Sequence, residues 1–330
     1  MIESIRISKN KVEILDQTQL PFLEKYLPIK DYREMAEAIF KLKIRGAPAI
    51  GIAAAAGSYL ASLEFSDKKD FSDKIFTAIT DLENTRPTAV NLFAATSKIR
   101  EMIQKNPENI SEQLYNFTLD LMNYEKIACE KMGEIGSKFI GNVKNILTHC
   151  NTGSLATYGI GTALGVIRTI SLNHQIKVFA DETRPLLQGS RLTMWELNKS
   201  HIDSTLITDN MAAQIIKKEK IDCIIVGADR IAKNGDSANK IGTFGLAILA
   251  KHFKIPFYIV APETTIDRKI MNGDEIKIEE RNYNEVRKIK DYPITSDEFK
   301  VANPAFDVTP SEMITAIITD EKAYQYPYNL

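Results

Sequence analysis

From residue 145 onward, short apolar runs rich in β-branched residues alternate with stretches of helical length. Each run ends in a polar or glycine-containing turn, and successive runs start roughly 20 to 35 residues apart, an interval typical of βαβ units. Strands in such units form a parallel sheet whose faces are covered by helices. The predicted strands lie at 145–149, 177–180, 204–208, 222–227 and 257–261. The sequence therefore predicts an α/β fold, with ligands bound at the carboxyl ends of the strands.

The first 140 residues have a different pattern. Apolar residues recur at intervals of three and four over 32–42 and over 112–139, with charged residues between them. This periodicity predicts amphipathic helices. A short hairpin is expected over 5–16, so this half of the chain is predicted to be mostly helical.

Charge and cysteine content narrow the classes of function. The chain has 42 Lys and Arg residues against 43 Asp and Glu residues, and a net charge of −1 gives no field to hold a nucleic-acid backbone or an anionic membrane. The three cysteines have no Cys-x-x-Cys spacing, which argues against a disulfide framework or a zinc site. The first residues lack the pattern of a signal peptide. We therefore expect a cytoplasmic protein with a small-molecule partner.

One stretch reaches the minimum length of a membrane span. Residues 46–63 carry no charge over 18 positions, but alanine dominates them and glycines and a proline interrupt them. We predict a buried, closely packed helix there rather than a membrane helix.

Two residues that directly follow predicted strands are candidates for chemistry. Cys150 lies where a strand leads into a turn and a predicted helix over 155–170, and a helix N-terminus lowers the pKa of a thiol. Its neighbour His149 is expected to point to the opposite face of the strand, so another group would have to act as the base. Asp229 follows the run 222–227, where burial favours a carboxyl that acts as an acid near neutral pH. The alternative interpretation of Cys150 is a buried, inert thiol, and that of Asp229 is a carboxylate paired with an arginine.

Three segments have the composition of anion sites. Residues 151–154 and 239–243 each precede a predicted helix, and 45–48 combine an arginine with a glycine. Backbone N–H groups at a helix start can bind phosphate, although ordinary helix caps look the same in sequence. The glycines at 159, 161 and 165 resemble a dinucleotide fingerprint, but they lie too far beyond the strand to form its phosphate turn. Together the segments favour a phosphorylated small molecule.

Two further expectations concern the C-terminal part of the chain. Thr309-Pro-Ser-Glu312 has the form of a capping box and predicts a last helix over 311–318. The polar residues 274–296 interrupt the strand pattern, as a surface insertion or a lid would.

Six segments of the chain form a recognisable series. The longest is Gly-Ala-Asp-Arg-Ile-Ala-Lys-Asn-Gly-Asp-Ser-Ala-Asn-Lys-Ile-Gly-Thr at 227–243, and Thr-His-Cys-Asn-Thr-Gly-Ser at 148–154 contains Cys150. The others are 44–51, 86–92, 182–193 and 303–310. In chain order the segments closely resemble the S-methyl-5-thioribose-1-phosphate isomerase family, and the resemblance covers nearly the whole chain.

The resemblance implies an aldose–ketose isomerase of methionine salvage, and so of methionine biosynthesis, that needs no cofactor or metal. Such an enzyme converts 5-methylthioribose 1-phosphate to 5-methylthioribulose 1-phosphate. The implied architecture is a Rossmann-like catalytic domain over 126–330 preceded by a smaller, mostly helical N-terminal domain with a short β element over 1–125, in a homodimer. Carried over by position, the catalytic pair is Cys150 and Asp229. The substrate-binding residues are Arg45, Gly46, Ala47, Arg86, Gln188, Asn239 and Lys240.

Related functions remain open at this point. Isomerases of 5-deoxyribose 1-phosphate or ribose 1,5-bisphosphate differ in the group at the sugar's 5-position, where an apolar pocket and a cationic pocket would select different substrates. The same fold also serves non-catalytic regulatory subunits of a translation-initiation guanine-nucleotide exchange factor. The chain departs from the family at Thr152, where a smaller residue is expected.

Overall fold

The structure is a computed structural model that describes residues 2–66, 68–87, 89–105 and 108–330. The helices are α1 (Tyr32–Phe40), α2 (Ala47–Phe65), α3 (Phe71–Asn84), α4 (Val90–Lys105), α5 (Ile110–Ile140), α6 (Ala163–Ser171), α7 (Met194–Lys199), α8 (Ala212–Glu219), α9 (Thr243–Phe253) and α10 (Asn284–Arg287). The first strands are β1 (Ile5–Ser8), β2 (Lys11–Leu15), β3 (Tyr26–Ile29), β4 (Asn145–Thr148), β5 (Lys177–Asp181), β6 (Asp203–Ile207), β7 (Cys223–Val226) and β8 (Arg230–Ala232). They are followed by β9 (Ser237–Lys240), β10 (Phe257–Val260), β11 (Ile266–Asp267), β12 (Lys288–Ile289), β13 (Tyr292–Pro293), β14 (Phe306–Thr309), β15 (Ala316–Ile318) and β16 (Ala323–Gln325).

The described residues group into two compact units. One comprises Met1–Cys129 and Ser154–Gly161, and the other comprises Glu130–Gly153 and Thr162–Leu330. The chain therefore passes from one unit to the other within α5 and on both sides of the segment Ser154–Gly161.

The second unit contains a seven-stranded sheet in the order β16-β15-β10-β7-β4-β5-β6. Pairing is parallel from β15 to β6 and antiparallel between β15 and β16. Every residue of β7 and β10 is buried, as a parallel sheet covered on both faces requires. The prediction of an α/β fold with a parallel sheet is confirmed, and each predicted run forms one of its strands.

A smaller sheet in the same unit follows the order β11-β8-β9-β14. Strands β8 and β9 form an antiparallel hairpin, and β14 pairs with the other side of β9. This sheet contains Asn239 and Lys240 at the end of β9, and Asp229 directly precedes β8.

The first unit combines a three-stranded antiparallel sheet, β1-β2-β3, with α1 to α4 and the first part of α5. The predicted hairpin and the predicted amphipathic helices are confirmed. Helix α2 contains nearly all of the uncharged stretch and is buried along most of its length, as expected. None of the helices in the described ranges has both the length and the apolar character that a membrane span needs.

The predicted helix over 155–170 is wrong in its first half, because α6 starts only at Ala163. Residues Ser154–Gly161 belong to the first unit, where buried side chains bind their backbone. The Gln17 side chain donates to the Leu155 carbonyl at 2.8 Å, and the Ser4 hydroxyl donates to the Thr157 carbonyl at 2.9 Å. These tertiary contacts outweigh the local helical pattern.

The predicted last helix over 311–318 is also wrong. Ser311–Met313 form a single 3₁₀ turn, and Ala316–Ile318 form the buried strand β15 beside β10. A short apolar run can form either a strand or a helix. Here residues 316–318 form a strand because they pair with the edge of β10. Over 274–296 the chain forms α10 and the two-residue hairpin β12-β13 with mostly exposed side chains, as a surface insertion would.

Candidate active site

The predicted catalytic residues follow neighbouring strands. Cys150 comes two residues after β4 and Asp229 comes three residues after β7, and these strands pair in parallel. Their carboxyl ends therefore lie at the same edge of the sheet. The two loops also touch, because a Cβ at Gly227 would lie 2.8 Å from Cγ2 of Thr152. The fold thus brings the Cys150 turn next to the turn that leads to Asp229.

The backbone of Cys150 has a left-handed conformation, with φ of 61°. Its side chain is buried, at 7% exposure. Its N–H donates to Oγ1 of Thr183 at 2.8 Å, and its carbonyl accepts a hydrogen bond from Oγ1 of Thr193. A non-glycine residue in this conformation costs about 1–3 kcal/mol and persists where its surroundings hold it.

His149, one residue before the thiol, is buried at 1% exposure and bound at both ring nitrogens. Nδ1 lies 2.9 Å from Oδ2 of Asp181, and Nε2 lies 2.9 Å from the Ile241 carbonyl. A carbonyl only accepts, so Nε2 carries a proton and donates it. The expectation that His149 is not the base for Cys150 is confirmed, because both nitrogens are engaged elsewhere.

The His149–Asp181 pair shares a proton between Nδ1 and Oδ2. Burial lowers the pKa of His149, but the hydrogen bond and charge of Asp181 outweigh it, and the net pKa is raised. Burial also raises the pKa of Asp181, against the lowering effect of His149. The pair links β4 and β5 to the turn after β9, which contains Ile241.

Asp209 lies beside this pair, and one ligand atom each of His149, Asp181 and Asp209 fall within 4.8 Å of one another. Such a group can hold a metal ion. The Asp209 oxygens, however, accept the N–H groups of Thr183 and Arg184 at 2.8 and 2.7 Å. The geometry is therefore that of a hydrogen-bonded network that fixes the turn after β5.

The loop after Cys150 packs against a buried carboxylate and forms a hydrogen bond with it. Glu196 in α7 is 0% exposed, pairs with Arg168 at 2.7 Å and accepts from Nδ2 of Asn151 at 2.9 Å. A Cβ at Gly153 would lie 2.3 Å from the Glu196 carboxylate, so only glycine fits there. This loop was predicted to lead straight into a helix and to hold phosphate. The predicted start of the helix is wrong, because α6 begins only at Ala163. The loop is nevertheless joined to α6, since the Leu164 N–H donates to Oγ1 of Thr152 at 3.2 Å.

Asn239 and Lys240 end strand β9. Nδ2 of Asn239 donates to Oγ1 of Thr243 at 2.9 Å, and Nζ of Lys240 donates to the Ala305 carbonyl at 2.9 Å. The register Arg230–Ala238 of the β8–β9 hairpin places the preceding Asp229 alongside Asn239. The acid thus lies directly before β8, beside the end of β9 that contains the amide and the lysine.

The start of α9 differs from the prediction. The N–H groups of Gly242 and Phe244 donate to the two carboxylate oxygens of Asp307, at 2.7 and 3.1 Å. Burial raises the pKa of Asp307, and these hydrogen bonds oppose the rise. These two N–H groups are therefore bound by a carboxylate of the protein itself, and the phosphate contact predicted for residues 239–243 stays a prediction that depends on Lys240 and the remaining N–H groups.

Gln188 lies in the turn after β5. It is 6% exposed, and its Oε1 has no hydrogen-bond partner within the described ranges. Buried side-chain oxygens are normally hydrogen-bonded. An acceptor left open at this position is suited to a ligand hydroxyl.

The remaining predicted residues lie in the first unit. Arg45, Gly46 and Ala47 form the start of α2, where Gly46 has φ of 99° and a Cβ there would lie 2.4 Å from Cα of Ala156. Arg86 lies in the loop between α3 and α4 and is partly buried. Its motif 86–92 contains Thr88, which is outside the described residues.

The two arginine loops lie at the same end of a helix pair. A Cβ at Gly51, in the second turn of α2, would lie 3.0 Å from the Asn91 carbonyl in the first turn of α4. The second turn of α2 therefore contacts the first turn of α4, and Arg45 and Arg86 lie a few residues before these two helices.

Sequence reasoning missed the residues that hold this arrangement. They are His149 with Asp181, Thr183, Thr193 and Glu196, and each binds the turn around Cys150. Thr183 and Thr193 lie inside the recognised segment 182–193, so that segment contained a signal, but spacing along the chain did not show which backbone groups their hydroxyls bind.

The chain matches known proteins over nearly its full length. Residues 43–324 match the model of the initiation factor 2 subunit family. The methylthioribose-1-phosphate isomerase of Petrotoga mobilis is 47% identical over 97% of this chain and 95% of its own.

Two solved structures are similar to this chain. One, described as 5-methylthioribose 1-phosphate isomerase from Pyrococcus horikoshii, has a TM-score of 0.92 and 40% identity, covering 100% of this chain and 94% of its own. The other, described as subunit delta of translation initiation factor eIF-2B from A. fulgidus, has a TM-score of 0.88 and 40% identity, covering 99% and 97%. The chain therefore belongs to the initiation factor 2 subunit family, in which it groups with the methylthioribose-1-phosphate isomerases.

Proposed function

We propose that this protein is an aldose–ketose isomerase that converts 5-methylthioribose 1-phosphate to 5-methylthioribulose 1-phosphate in methionine salvage. The observation that carries the proposal is 47% identity to an isomerase of that name over nearly the whole chain. The placement of Cys150 and Asp229 after adjacent parallel strands supports it, because a thiol and a carboxyl at one sheet edge can act on the same sugar.

The chemistry requires an acid and a group that moves a proton. The anomeric carbon of the substrate carries a phosphate ester, so the ring cannot open to a free aldehyde. Asp229 donates a proton to the ring oxygen as the bond between C1 and that oxygen breaks, and Cys150 takes the proton from C2 to give an enol phosphate. Cys150 then returns this proton to C1, while the 2-hydroxyl loses its proton to Asp229 and becomes the ketone, so that both residues end in their starting states. The buried Cys150 turn favours this step, since exclusion of water strengthens interactions with developing charge. A hydride shift from C2 to C1 is the alternative route.

The other residues bind the substrate in this proposal. Arg45, Arg86 and Lys240 supply positive charge for the phosphate, and Asn239 and Gln188 supply hydrogen bonds to the sugar hydroxyls. Gly46 and Ala47 allow close approach of the backbone at the start of α2. The proposed architecture is a Rossmann-like catalytic domain over 126–330 and a helical N-terminal domain over 1–125, in a cytoplasmic homodimer.

A regulatory subunit is the second candidate function. The observation that favours it is the A. fulgidus structure, a translation-factor subunit by its description, which is as identical to this chain as the isomerase from Pyrococcus horikoshii. A subunit of that kind assembles with other proteins and turns over no sugar.

The deciding experiment is turnover by the purified protein. We expect conversion of 5-methylthioribose 1-phosphate without added metal or nicotinamide, faster than that of 5-deoxyribose 1-phosphate and of ribose 1,5-bisphosphate. Cys150→Ser and Asp229→Asn should each lower kcat by at least about 10²-fold, the range expected for loss of a general acid or base. Cys223→Ser, at a buried cysteine inside β7, is the matched control and should retain turnover. No turnover of any of the three sugars would exclude the isomerase and favour the regulatory subunit.

A further inference from the structure

The conformation of residue 150 is unusual for a cysteine. A left-handed backbone at a turn is normally supplied by glycine, which has no Cβ to clash with the neighbouring carbonyl. Cys150 has φ of 61° all the same. A turn that served only to connect β4 to the next element would be built more easily with glycine, so this position needs a side chain aimed in a direction that ordinary strand geometry does not provide.

Two threonine hydroxyls bind the two polar backbone groups of this residue. The Cys150 N–H donates to Oγ1 of Thr183 at 2.8 Å, and the Cys150 carbonyl accepts from Oγ1 of Thr193. Thr183 and Thr193 are 0% and 1% exposed. Water does not compete at such buried sites, so each bond restrains the backbone strongly.

Both threonines are fixed in turn. Thr183 itself has φ of 63°, its N–H donates to Oδ1 of Asp209 at 2.8 Å, and its hydroxyl donates to the Asp181 carbonyl at 3.2 Å. Oγ1 of Thr193 lies 3.3 Å from Nδ2 of Asn151, which donates to it. Each hydroxyl is therefore used as donor and as acceptor, and neither is free to rotate away from Cys150.

We propose that Thr183 and Thr193 are positioning residues that hold Cys150 in its left-handed conformation and thereby aim its thiol. The expected effect of these threonines on turnover rests on the proposed function. Their expected effect on the conformation and exposure of the Cys150 thiol does not. Valine has the shape of threonine without the hydroxyl, and serine keeps the hydroxyl without the methyl. The chain thus allows the hydroxyl and the shape of each side chain to be tested separately.

The experiment compares Thr183→Val and Thr193→Val with Thr183→Ser and Thr193→Ser in the full-length protein. Thr193→Ala removes the same hydroxyl without placing a methyl group against the carbonyl, which keeps the test valid if a valine variant does not fold. Thr169→Val is the matched control, because Oγ1 of Thr169 also donates to a backbone carbonyl, that of Gly165 within α6. The measurements are kcat and KM for 5-methylthioribose 1-phosphate, the alkylation rate of Cys150 by iodoacetamide resolved by peptide mass spectrometry, and Tm.

We expect the valine variants to lower kcat by about tenfold or more with KM changed less than about twofold, since small misplacement of a reacting group is costly. Alkylation of Cys150 should become about threefold faster or more, because a released turn exposes the buried thiol. The serine variants should keep the wild-type kcat and the wild-type alkylation rate, and Thr169→Val should change only Tm. The proposal would be overturned if the valine and alanine variants had a lower Tm but kept the wild-type kcat and the wild-type alkylation rate. If wild type turns over no sugar, the proposed function fails while alkylation still decides the role of the threonines.

Discussion

At the scale of single residues, the site depends on buried polar groups that hold one another. The backbone of Cys150 is held by hydroxyls, and its neighbour His149 shares a proton with Asp181. Both partners of this pair are about 1% exposed. A buried polar group that loses its partner is left without water to replace it, so removal of one partner costs more than the bond itself contributes.

The His149–Asp181 pair makes stability depend on pH. The pKa of each group is raised on folding, so the folded state holds protons that the unfolded chain releases. The His149 contribution is fully present below about pH 6.5, and it is lost as the pH rises through the higher folded-state pKa. The raised pKa of Asp181 acts in the same direction above about pH 4. The free energy of unfolding should therefore fall with rising pH, by up to about 1.4 kcal/mol per pH unit for each retained proton.

Urea unfolding of the double variant His149→Gln/Asp181→Asn at several values between pH 6 and 9 measures this effect. The variant keeps polar groups that can hydrogen-bond but removes the titration, so its stability should depend less on pH than that of wild type. His252→Gln, at an exposed histidine, is the control and should follow the wild-type curve. Equal pH dependence in wild type and the double variant would contradict the shared proton.

At the scale of secondary-structure elements, the ends of strands and helices determine where the functional groups lie. Cys150 and Asp229 follow neighbouring parallel strands, and Asn239 and Lys240 end a strand of the smaller sheet. Helix α9 begins at Thr243, after the short turn that follows Lys240, and Asp307 from β14 caps its first turn. This cap joins β14 to the start of α9 and so fixes the turn that contains Ile241, the partner of His149.

Loss of the Asp307 cap should destabilise the protein. Asp307→Ala leaves two N–H groups of α9 without a partner, and a lost cap costs about 0.5–2 kcal/mol. Asp307→Asn keeps one carbonyl oxygen and should lose less. The check is the free energy of unfolding in urea, with Asp297→Ala at an exposed aspartate as the control. If Asp307→Ala were as stable as Asp297→Ala, the cap would contribute nothing.

At the scale of the whole molecule, the two units do not correspond to two successive pieces of chain. The first unit includes Ser154–Gly161, which the sequence places well inside the second. In this unit the segment accepts hydrogen bonds from the Ser4 hydroxyl, the Gln17 amide and the Ala49 N–H. The first unit is therefore incomplete if the chain is cut after α5.

A fragment of residues 1–129 should consequently be less stable than the same fragment joined by a flexible linker to residues 154–161. Without the segment, the buried donors of Ser4 and Gln17 lose their acceptors, at about 1–3 kcal/mol each. Thermal melting followed by circular dichroism, with the full-length protein as reference, measures the difference. Identical melting of the two fragments would mean that the segment adds no stability, and the predicted domain boundary at 125/126 would then describe an independent unit.

The parallel sheet could be predicted from the amino-acid sequence, and so could the positions of Cys150 and Asp229 just after two of its strands. The spacing and the type of the apolar residues indicate which residues are buried, and a strand ends where a buried apolar run ends. The same reasoning located α1, α2 and α5, whose apolar residues fill the first unit.

The groups that bind the backbone of Cys150, and the segments that do not form the helix their local pattern predicts, could be identified only from the folded chain. The hydroxyls of Thr183 and Thr193 reach Cys150 from more than thirty residues away. Asp307 reaches the start of α9 across 65 positions, and residues 154–161 leave the expected helix for contacts with Ser4 and Gln17. A hydrogen bond between distant residues leaves no period in the sequence, and its energy appears only once packing has removed water from both partners.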